Sequence, residues 1–392
     1  MALCEKNVAD YCQNKNYCVP LYLLSVKDIN TQTFDNYMDI KENISLKAYN
    51  TFGIDAKASM FVEYDTEKGL QQLLESGLLQ SNPFLILGGG SNIVFANDYR
   101  GVIVHPVNKG IISEKECHEA YAGQMQGGDN PNMDSNHVFV EVAAGEVWSD
   151  FAWAMTRKGY YGLENLVEIP GNVGAAPVQN VGAYGVEAKD VIAYVVAYEI
   201  ETGIKRVFTN KECKFGYRDS IFKNELKNKY IVFSVCFMLS KTANSKTNYS
   251  ALSKMLSEKG IATPTPLQIA ECIAEIRGKK LPDPKEVGSA GSFFKNPMVT
   301  YSELEAIQQH YPDVVSYPIG DKYKLAAGWL IEKCGWKGRT LGNAGVYPKQ
   351  ALVLFNNGGC TGNEVVALAT AIEADVESRF GVRLEKEAII IN

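Results

Sequence analysis

The chain has 392 residues, a formal net charge of −6 and 46% apolar residues, which describes a globular protein able to bury more than one core. The negative balance argues against nucleic acid as the main partner, because phosphate binding depends on clustered lysine and arginine. No apolar run approaches the roughly 20 residues that cross a bilayer. The run at residues 18–26 is short and lacks a cleavage site of small residues, so we predict neither an anchor nor a signal peptide there.

The cysteines and histidines exclude several kinds of site. Nine cysteines are scattered without a CxxC pair, which is typical of reduced thiols in a cytoplasmic protein. Four histidines stand more than ten residues apart, so a local histidine metal motif is absent and we predict no metal centre. A nucleophile that meets a distant histidine in the fold stays open.

Residues 1–37 differ from the rest, with three cysteines, many Asn and Gln residues and no sustained period. We predict an appendage there and hypothesise that Met38 is the true initiator. Intact-mass analysis showing Met1 or Ala2 at the native N-terminus would contradict this hypothesis. From residue 38 onward, strands and turns alternate.

The middle of the chain predicts an α+β domain with a mixed sheet. Periodic leucines predict a helix over residues 67–77, and an apolar run that continues after glycines predicts strand, turn and strand over 82–95. A polar stretch at 120–136 predicts a loose hairpin excursion or a surface loop. Further predictions are a helix over residues 146–159 and a hairpin with its turn at 201–203.

A second module follows the strand predicted at residues 230–241. Its first helix carries Ile269 and Ile276 on one face and is predicted to end at Gly278. Its last helix has Thr361 and Glu364 in capping-box spacing and a glycine stop at Gly381. A terminal strand is predicted over residues 382–392.

Two glycine-rich stretches could approach a ligand. "ILGGGSN" (residues 86–92) places backbone amides at a strand end, as in a phosphate nest, although the dinucleotide fingerprint is missing and a plain turn is the alternative. "IPGNVGAAPVQNVGAYG" (residues 169–185) has almost no side-chain bulk. It either passes beneath a flat ligand or forms a buried irregular connection, and the residues alone do not decide.

Three other stretches carry reactive side chains. In "FGYRDSIFK", Arg218 suits a carboxylate or phosphate, or else pairs with Asp219 at the surface. "GSAGSFFKNP" (residues 288–297) is a phosphate cradle, a nucleophile turn or a simple loop. Glu385 and Glu387 lie two apart on one face of the predicted terminal strand, facing either water or a site.

The order of these stretches resembles the UDP-N-acetylenolpyruvoylglucosamine reductase family, the flavoenzymes that complete UDP-N-acetylmuramic acid for peptidoglycan. The resemblance covers roughly residues 40–392 and follows the longer of the family's two forms, because "TNYSALSKML" (residues 247–256) resembles a tyrosine-bearing lid segment. The matching motifs are "YNTFGI", "GGGSN", "GLENLVEIPGNVGAAPVQNVGAYG", "FGYRDSIFK", "KLPDP", "GSFFKNP", "KLAAGWLIEKCGWKG" and "LEKE".

The resemblance implies an α+β protein with an FAD-binding fold of the vanillyl-alcohol-oxidase type, followed by a smaller α+β substrate domain. The implied domains are residues 38–240 (core about 54–240) and 241–392, with the last strand, 382–392, returning to the active site. FAD would be bound non-covalently. The implied cofactor residues are Thr51, Gly88, Gly89, Gly90, Ser91, Asn92, Pro170, Gly171, Gly174, Ala175, Gln179, Asn180, Gly182 and Ala183.

The resemblance also implies a reaction. NADPH gives a hydride to flavin N5, which passes it to C3 of the enolpyruvyl ether of UDP-N-acetylglucosamine enolpyruvate. Arg218 would stabilise the charge that develops on the carboxylate, Glu387 would polarise the same group in its protonated form, and Ser292 would donate the proton to C2. A cytoplasmic monomer without nucleic-acid or membrane partners is expected. The implied substrate or nicotinamide contacts are Tyr217, Tyr249, Lys280, Asn296 and Gln350.

The chain departs from the family pattern at Lys386, where proline is usual, and at Ile389, where arginine is common. Two other functions compete with the reductase. A flavin oxidase on the same fold would need the glycine stretches but not Arg218, Ser292 and Glu387 together. A binding module without catalysis could keep the glycines and lose the proton donor.

Overall fold

A computed structural model of the chain describes residues 38–112, 136–284 and 286–392. The predicted appendage at residues 1–37 lies outside the described residues, as does most of the surface loop predicted at 120–136. Both remain predictions.

The first sheet has the order β1-β2-β5-β3, in which β1 is antiparallel to β2 and the other neighbours are parallel. The helix predicted over residues 67–77 is confirmed, because Thr66 caps its first turn and Leu70, Leu73 and Leu74 are buried. These elements are β1 (Met38–Ser45), β2 (Lys57–Tyr64), α1 (Glu67–Glu75), α2 (Leu78–Ser81), β3 (Phe84–Ile86), β4 (Ile93–Phe95) and β5 (Tyr99–Pro106).

The second sheet is antiparallel with the order β11-β10-β12-β7-β6, and helices cover one of its faces. The predicted hairpin is confirmed, since β10 pairs with β11 across the turn at 201–203. These elements are β6 (Ile111–Ile112), β7 (His137–Ala143), α3 (Trp148–Arg157), β8 (Gly182–Ala183), β9 (Val186–Glu187), β10 (Ile192–Glu199), β11 (Lys205–Thr209), β12 (Tyr230–Ser240), α4 (Ser250–Glu258) and α5 (Pro266–Lys280).

Helix α5 does not end at Gly278, so that prediction is wrong. A glycine inside a helix costs only about 1 kcal/mol, and the Thr265 capping box supports the other end. The helix stops after Lys280 because Leu281 precedes Pro282 and has the extended backbone that a following proline favours (φ −103°, ψ 151°).

Helices α4 and α5 belong to the same core as the second sheet. Leu252, Ile269 and Ile273 are fully buried in one cluster with Val235 and Phe237 of β12. The core that begins at residue 138 therefore continues to Ile276, beyond the boundary predicted at 240/241. The domain limits 38–240 and 241–392 stay predictions.

The remaining residues build two small antiparallel sheets, β13-β19-β18-β17 and β14-β16-β15, whose side chains share a core with the first sheet. The last long helix is confirmed, with Thr361 and Glu364 in a capping box and Gly381 left-handed at its end. These elements are β13 (Ser289–Ser292), β14 (Met298–Val299), α6 (Tyr301–His310), β15 (Ser316–Ile319), β16 (Lys322–Leu325), α7 (Ala327–Lys333), β17 (Thr340–Leu341), β18 (Ala344–Val346), β19 (Val353–Asn356), α8 (Gly362–Phe380) and β20 (Ile389–Ile391).

The predicted terminal strand is wrong over residues 382–388 and right only for β20, which pairs in parallel with β4. The preceding residues form one isolated bridge, between Lys386 and Phe294, instead of a ladder. Two backbone hydrogen bonds flank that bridge, from Lys295 to the Glu385 carbonyl and from Glu387 to the Phe293 carbonyl. The chain end is thereby held beside β13 and then beside β4.

Candidate active site

The turn between β3 and β4 is suited to bind an anion. At Gly90 φ is +59°, and a Cβ there would lie 2.0 Å from the Tyr49 carbonyl oxygen, so only glycine fits. Among the described residues, the backbone amides of residues 88–91 donate no hydrogen bond to protein. Unpaired amides along a glycine turn form a nest for negatively charged oxygen atoms, as the sequence predicts.

The second glycine-rich stretch lies directly against this turn. Ser91 Oγ donates to the Pro170 carbonyl at 3.0 Å, and a Cβ on Gly89 would lie 2.9 Å from Gly171 Cα. Pro170 and Ala175 are exposed, whereas Val173 is buried and anchors the stretch. The two bulk-free segments therefore meet backbone to backbone and leave part of their length open to a ligand.

Asn180 has an internal role in the structure. Its side chain is fully buried, its φ is +48°, and its amide nitrogen donates to Glu187 Oε2 at 3.0 Å and to the Gly216 carbonyl at 2.8 Å. Its amide oxygen accepts from the Lys189 backbone. Asn180 thus fixes the loop that carries Gly182, and its predicted cofactor contact stays a prediction.

Arg218 pairs with Glu387 across 169 residues of sequence. Its Nε lies 2.6 Å from Glu387 Oε1, and its Nη2 donates to the Gly182 carbonyl at 2.8 Å. The two side chains are 18% and 12% exposed, and a charge-assisted bond with so little solvent around it is strongly oriented. The alternative of an Arg218–Asp219 pair is wrong, because Asp219 instead accepts from Asn224 Nδ2 at 2.8 Å.

Ser292 is the exposed last residue of β13. Gly291 before it is left-handed at φ +65°, while Phe293 and Phe294 after it are buried with their rings 5.3 Å apart. The Phe293 carbonyl accepts the Glu387 amide at 2.8 Å, so the chain segments that carry Ser292 and Glu387 are neighbours.

Glycine is required at position 288 because the backbone of Phe52 lies very close to it. A Cβ there would lie 2.3 Å from the Phe52 carbonyl oxygen. The stretch at 288–297 is thus a strand end anchored by phenylalanines.

Thr51 and Asn92 connect the glycine turn to these segments. The Thr51 amide donates to the Gly90 carbonyl at 3.2 Å, and Thr51 Oγ1 donates to the Ser289 carbonyl at 2.6 Å. Asn92 Nδ2 donates to Gln179 Oε1 at 2.7 Å and to the Glu387 carbonyl at 3.0 Å. Any ligand bound at the turn would therefore lie close to both candidate catalytic segments.

The two terminal glutamates have different surroundings. The Glu385 side chain is 70% exposed and pairs with Lys295, whereas Glu387 is directed at Arg218. Between them, Lys386 Nζ lies 2.6 Å from both carboxylate oxygens of Glu373 on α8. The departure from proline at this position leaves Glu387 in contact with Arg218.

Tyr217 lies between two cations. Arg218 Cζ is 5.5 Å and Lys324 Nζ 5.3 Å from its ring centroid. Burial raises the pKa of Tyr217, and Arg218 and Asn296 oppose that rise. Sequence reasoning missed Lys324, because a single lysine in a short strand carries no spacing signal.

Asn296 and Gln350 stand near the ends of short elements. Asn296 Oδ1 accepts from the amide of Ala327, the first residue of α7, at 2.9 Å, and Gln350 Oε1 accepts from Leu352 at 3.3 Å. Lys280 is exposed at the end of α5. Within the described residues no hydrogen bond joins Lys280 or Gln350 to Arg218 or Glu387, so their substrate contacts stay predictions.

Tyr249 precedes α4 and is 43% exposed. Its ring makes an edge contact with Tyr184 at 5.2 Å between centroids, and burial raises the pKa of both phenols. Tyr184 is itself left-handed at φ +50° and was also missed from the sequence.

A cavity of about 1120 Å³ borders Thr51 and Gly89 but is lined by none of the three candidate catalytic residues. No cluster of three His, Cys, Asp or Glu side chains within the described residues could hold a metal ion. In the same residues, no helix combines the length and the apolar character that a membrane span needs.

Comparisons with known proteins identify the family. Residues 283–391 match the model of the UDP-N-acetylenolpyruvoylglucosamine reductase C-terminal domain, and residues 58–203 match an FAD binding domain. The chain is 45% identical over 350 residues to UDP-N-acetylenolpyruvoylglucosamine reductase of Pseudomonas putida, covering 88% of this chain and 97% of the relative. The chain belongs to the UDP-N-acetylenolpyruvoylglucosamine reductase family.

A second relative, the reductase of the same name from Bdellovibrio bacteriovorus, is 44% identical over 352 residues, or 90% of this chain and 99% of the relative. The crystal structure of UDP-N-acetylenolpyruvylglucosamine reductase from Thermus caldophilus matches with a TM-score of 0.61 at 21% identity, covering 91% of this chain and all of that one. These matches confirm the predicted fold class, an FAD-binding fold of the vanillyl-alcohol-oxidase type with a C-terminal α+β domain, and the chain is a flavoprotein oxidoreductase.

Proposed function

We propose that this protein reduces UDP-N-acetylglucosamine enolpyruvate to UDP-N-acetylmuramate, with NADPH as the hydride donor and FAD as a non-covalent cofactor, in the synthesis of peptidoglycan precursors. The observation that carries the proposal is the 2.6 Å pair of Arg218 and Glu387, held beside the strand end of Ser292 and tied by Asn92 to the glycine turn. The names of the relatives at 42–45% identity support the same substrate.

The residues present fit FAD. The unpaired amides of residues 88–91 would hold its diphosphate, and the open backbone of residues 170–175 would allow a flat ring system to approach closely. The chemistry that FAD supplies when bound is hydride transfer from NADPH to the vinyl C3 of the substrate.

Arg218 would bind the carboxylate of the enolpyruvyl group. A guanidinium has five N–H donors, and the described bonds use one at Nε and one at Nη2, so three stay available. Negative charge moves onto the substrate carboxylate as C3 gains the hydride. A cation already oriented by Glu387 and Gly182 stabilises that charge without reorganising during the reaction.

Ser292 would complete the reaction by donating its hydroxyl proton to C2. It is exposed, and none of the described residues makes a hydrogen bond to its Oγ, so the hydroxyl is available to the substrate. A serine is a weak acid, so it serves only a strongly basic centre such as this C2. Glu387, in its protonated form, would polarise the same carboxylate from the side of Arg218.

The test is the colour of the flavin without oxygen. Purified protein should be yellow, NADPH should bleach it, and UDP-N-acetylglucosamine enolpyruvate should restore the oxidised spectrum. UDP-N-acetylglucosamine, which lacks the enolpyruvyl group, is the matched control and should restore nothing. Recovery with oxygen alone would favour an oxidase on the same fold, and no reaction with any of these compounds would favour a binding module.

A further inference from the structure

Lys223 contacts the backbone of Arg218. Its Nζ donates a 3.0 Å hydrogen bond to the Arg218 carbonyl, five residues earlier in the chain. Phe222, next to Lys223, is buried, and its ring packs edge-on against Phe208 at 5.1 Å between centroids. The lysine is therefore held in place by its neighbour in the core.

Arg218 has a backbone conformation that needs such a contact. Its φ is +55°, in the left-handed region that residues with a Cβ disfavour. The guanidinium is fixed by Glu387 and Gly182, and the Lys223 ammonium fixes the carbonyl of the same residue. Side chain and backbone are thus held from two directions, so the guanidinium keeps one orientation.

The Lys223 ammonium contacts the Arg218 carbonyl and makes no short ion pair within the described residues. Within the described residues no carboxylate lies in ion-pair distance of its Nζ, and its hydrogen bond goes to the Arg218 carbonyl. Burial lowers the pKa of Lys223 and Lys295 lowers it further, while Asp219, Glu385 and Glu387 act in the opposite direction. A partly buried cation without an ion pair is costly, which suggests a function for its contact.

We propose that Lys223 is a positioning residue, whose ammonium holds Arg218 left-handed so that the guanidinium is aligned for the carboxylate of the substrate. This inference rests on the proposed function of Arg218. It concerns orientation, so removing the ammonium should weaken the steps that involve the enolpyruvyl carboxylate and leave the reaction with NADPH unchanged.

The experiment compares Lys223→Met, Lys223→Arg and a control, Lys227→Met, an exposed lysine of the same turn. Lys223→Met should slow flavin reoxidation by UDP-N-acetylglucosamine enolpyruvate by up to about 10²-fold, the effect of a misplacement of roughly 1 Å. It should also weaken binding of that substrate to the oxidised protein in calorimetry. Lys223→Arg should recover part of both, and Lys227→Met should match the parent.

A double-mutant cycle with Arg218→Ala separates positioning from a direct role. If Lys223 acts through Arg218, Lys223→Met adds little once the guanidinium is gone. Equal effects in both backgrounds, a loss of thermal stability that accounts for the slower rate, or no effect of Lys223→Met would each overturn the inference. If the parent protein itself fails to react with the substrate, the proposed function fails instead.

The crystal structure of Lys223→Met provides a readout that needs no substrate. We expect Arg218 to leave the left-handed region and its bond to Glu387 to lengthen or break. An unchanged Arg218 in that structure would overturn the inference even if the substrate is a different one.

Discussion

The side-chain amide of Asn92 donates a 3.0 Å hydrogen bond to the carbonyl of Glu387, a residue 295 positions later in the chain. The Ile389 amide donates a 2.9 Å hydrogen bond to the Asn92 carbonyl. One residue of the glycine turn therefore positions the segment that carries the candidate acid.

Asn92→Asp should detach the glycine turn from the segment that carries Glu387, because a carboxylate has the same shape as the amide but cannot donate a hydrogen bond. Leaving the Glu387 carbonyl and Gln179 without their donor should cost about 1–3 kcal/mol in the free energy of unfolding and reduce the bound flavin. Asn97→Asp, at an exposed position, is the control. Chemical denaturation and the flavin-to-protein ratio measure both effects, and an Asn92→Asp protein equal to the control would contradict the prediction.

Ser292→Ala should leave flavin reduction by NADPH near normal and slow the reaction with the enolpyruvyl substrate by at least about 10²–10⁴-fold, because a positioned proton donor is lost. Ser292→Cys should keep part of the activity. Stopped-flow absorbance follows the two half-reactions separately, with Ser253→Ala on the exposed side of α4 as the control. If both half-reactions slow equally, Ser292 has a structural role only.

Lys386 offers a test of how Glu387 is held. Lys386→Met removes the ion pair between Lys386 and Glu373, whose two side chains are 29% and 23% exposed. The loss should lower the free energy of unfolding by about 1 kcal/mol or less. Lys386→Pro should keep most of the activity of the parent protein. The Lys386 amide donates to no acceptor in the described residues, and proline restricts the backbone by itself. Thermal unfolding and turnover check both. An inactive, folded Lys386→Pro protein would mean that the ion pair itself is needed.

The stabilising contribution of the Glu364 carboxylate should be lost in acid. Its carboxylate accepts from the backbone amides of Thr361 and Asn343, which lower its pKa in the folded protein. A lowered folded pKa gives stability above the unfolded pKa, near 4.3, and that stability disappears as pH falls through the folded value.

Glu364→Gln should therefore lower the melting temperature at pH 7 and have progressively less effect as the pH falls from about 4.3 through the lowered folded pKa, below which both proteins lack the charge. Glu305→Gln, an exposed change on α6, should have little effect at either pH. Calorimetry over this pH range measures the difference, and a Glu364→Gln effect that does not change with pH would contradict the prediction.

Local signals in the sequence predicted the local features well. The caps at Thr361 and Gly381, the hairpin turn at 201–203 and the glycine turn at 88–90 all depend on residues within one or two turns of each other. The helix end predicted at Gly278 was wrong, because a glycine inside a helix is tolerated and Pro282 supplies the stop.

Local sequence signals could not predict the contacts between distant residues that form the candidate site. Asp219 is adjacent to Arg218 in sequence, yet the partner of Arg218 is Glu387, which only the fold brings beside the guanidinium across 169 residues. Lys223 and Lys324 act across the fold and have no spacing pattern. The acids at 385 and 387 looked equivalent only while residues 382–388 were taken for a regular strand.

The parallel pairing of β20 with β4 has a consequence for synthesis of the protein. The ribosome makes Asn92 of the glycine turn 295 residues before it makes Glu387. A chain that terminates prematurely would carry the glycine turn but lack the partner of Arg218. The Arg218–Glu387 pair thus forms only in a chain whose synthesis has passed Glu387.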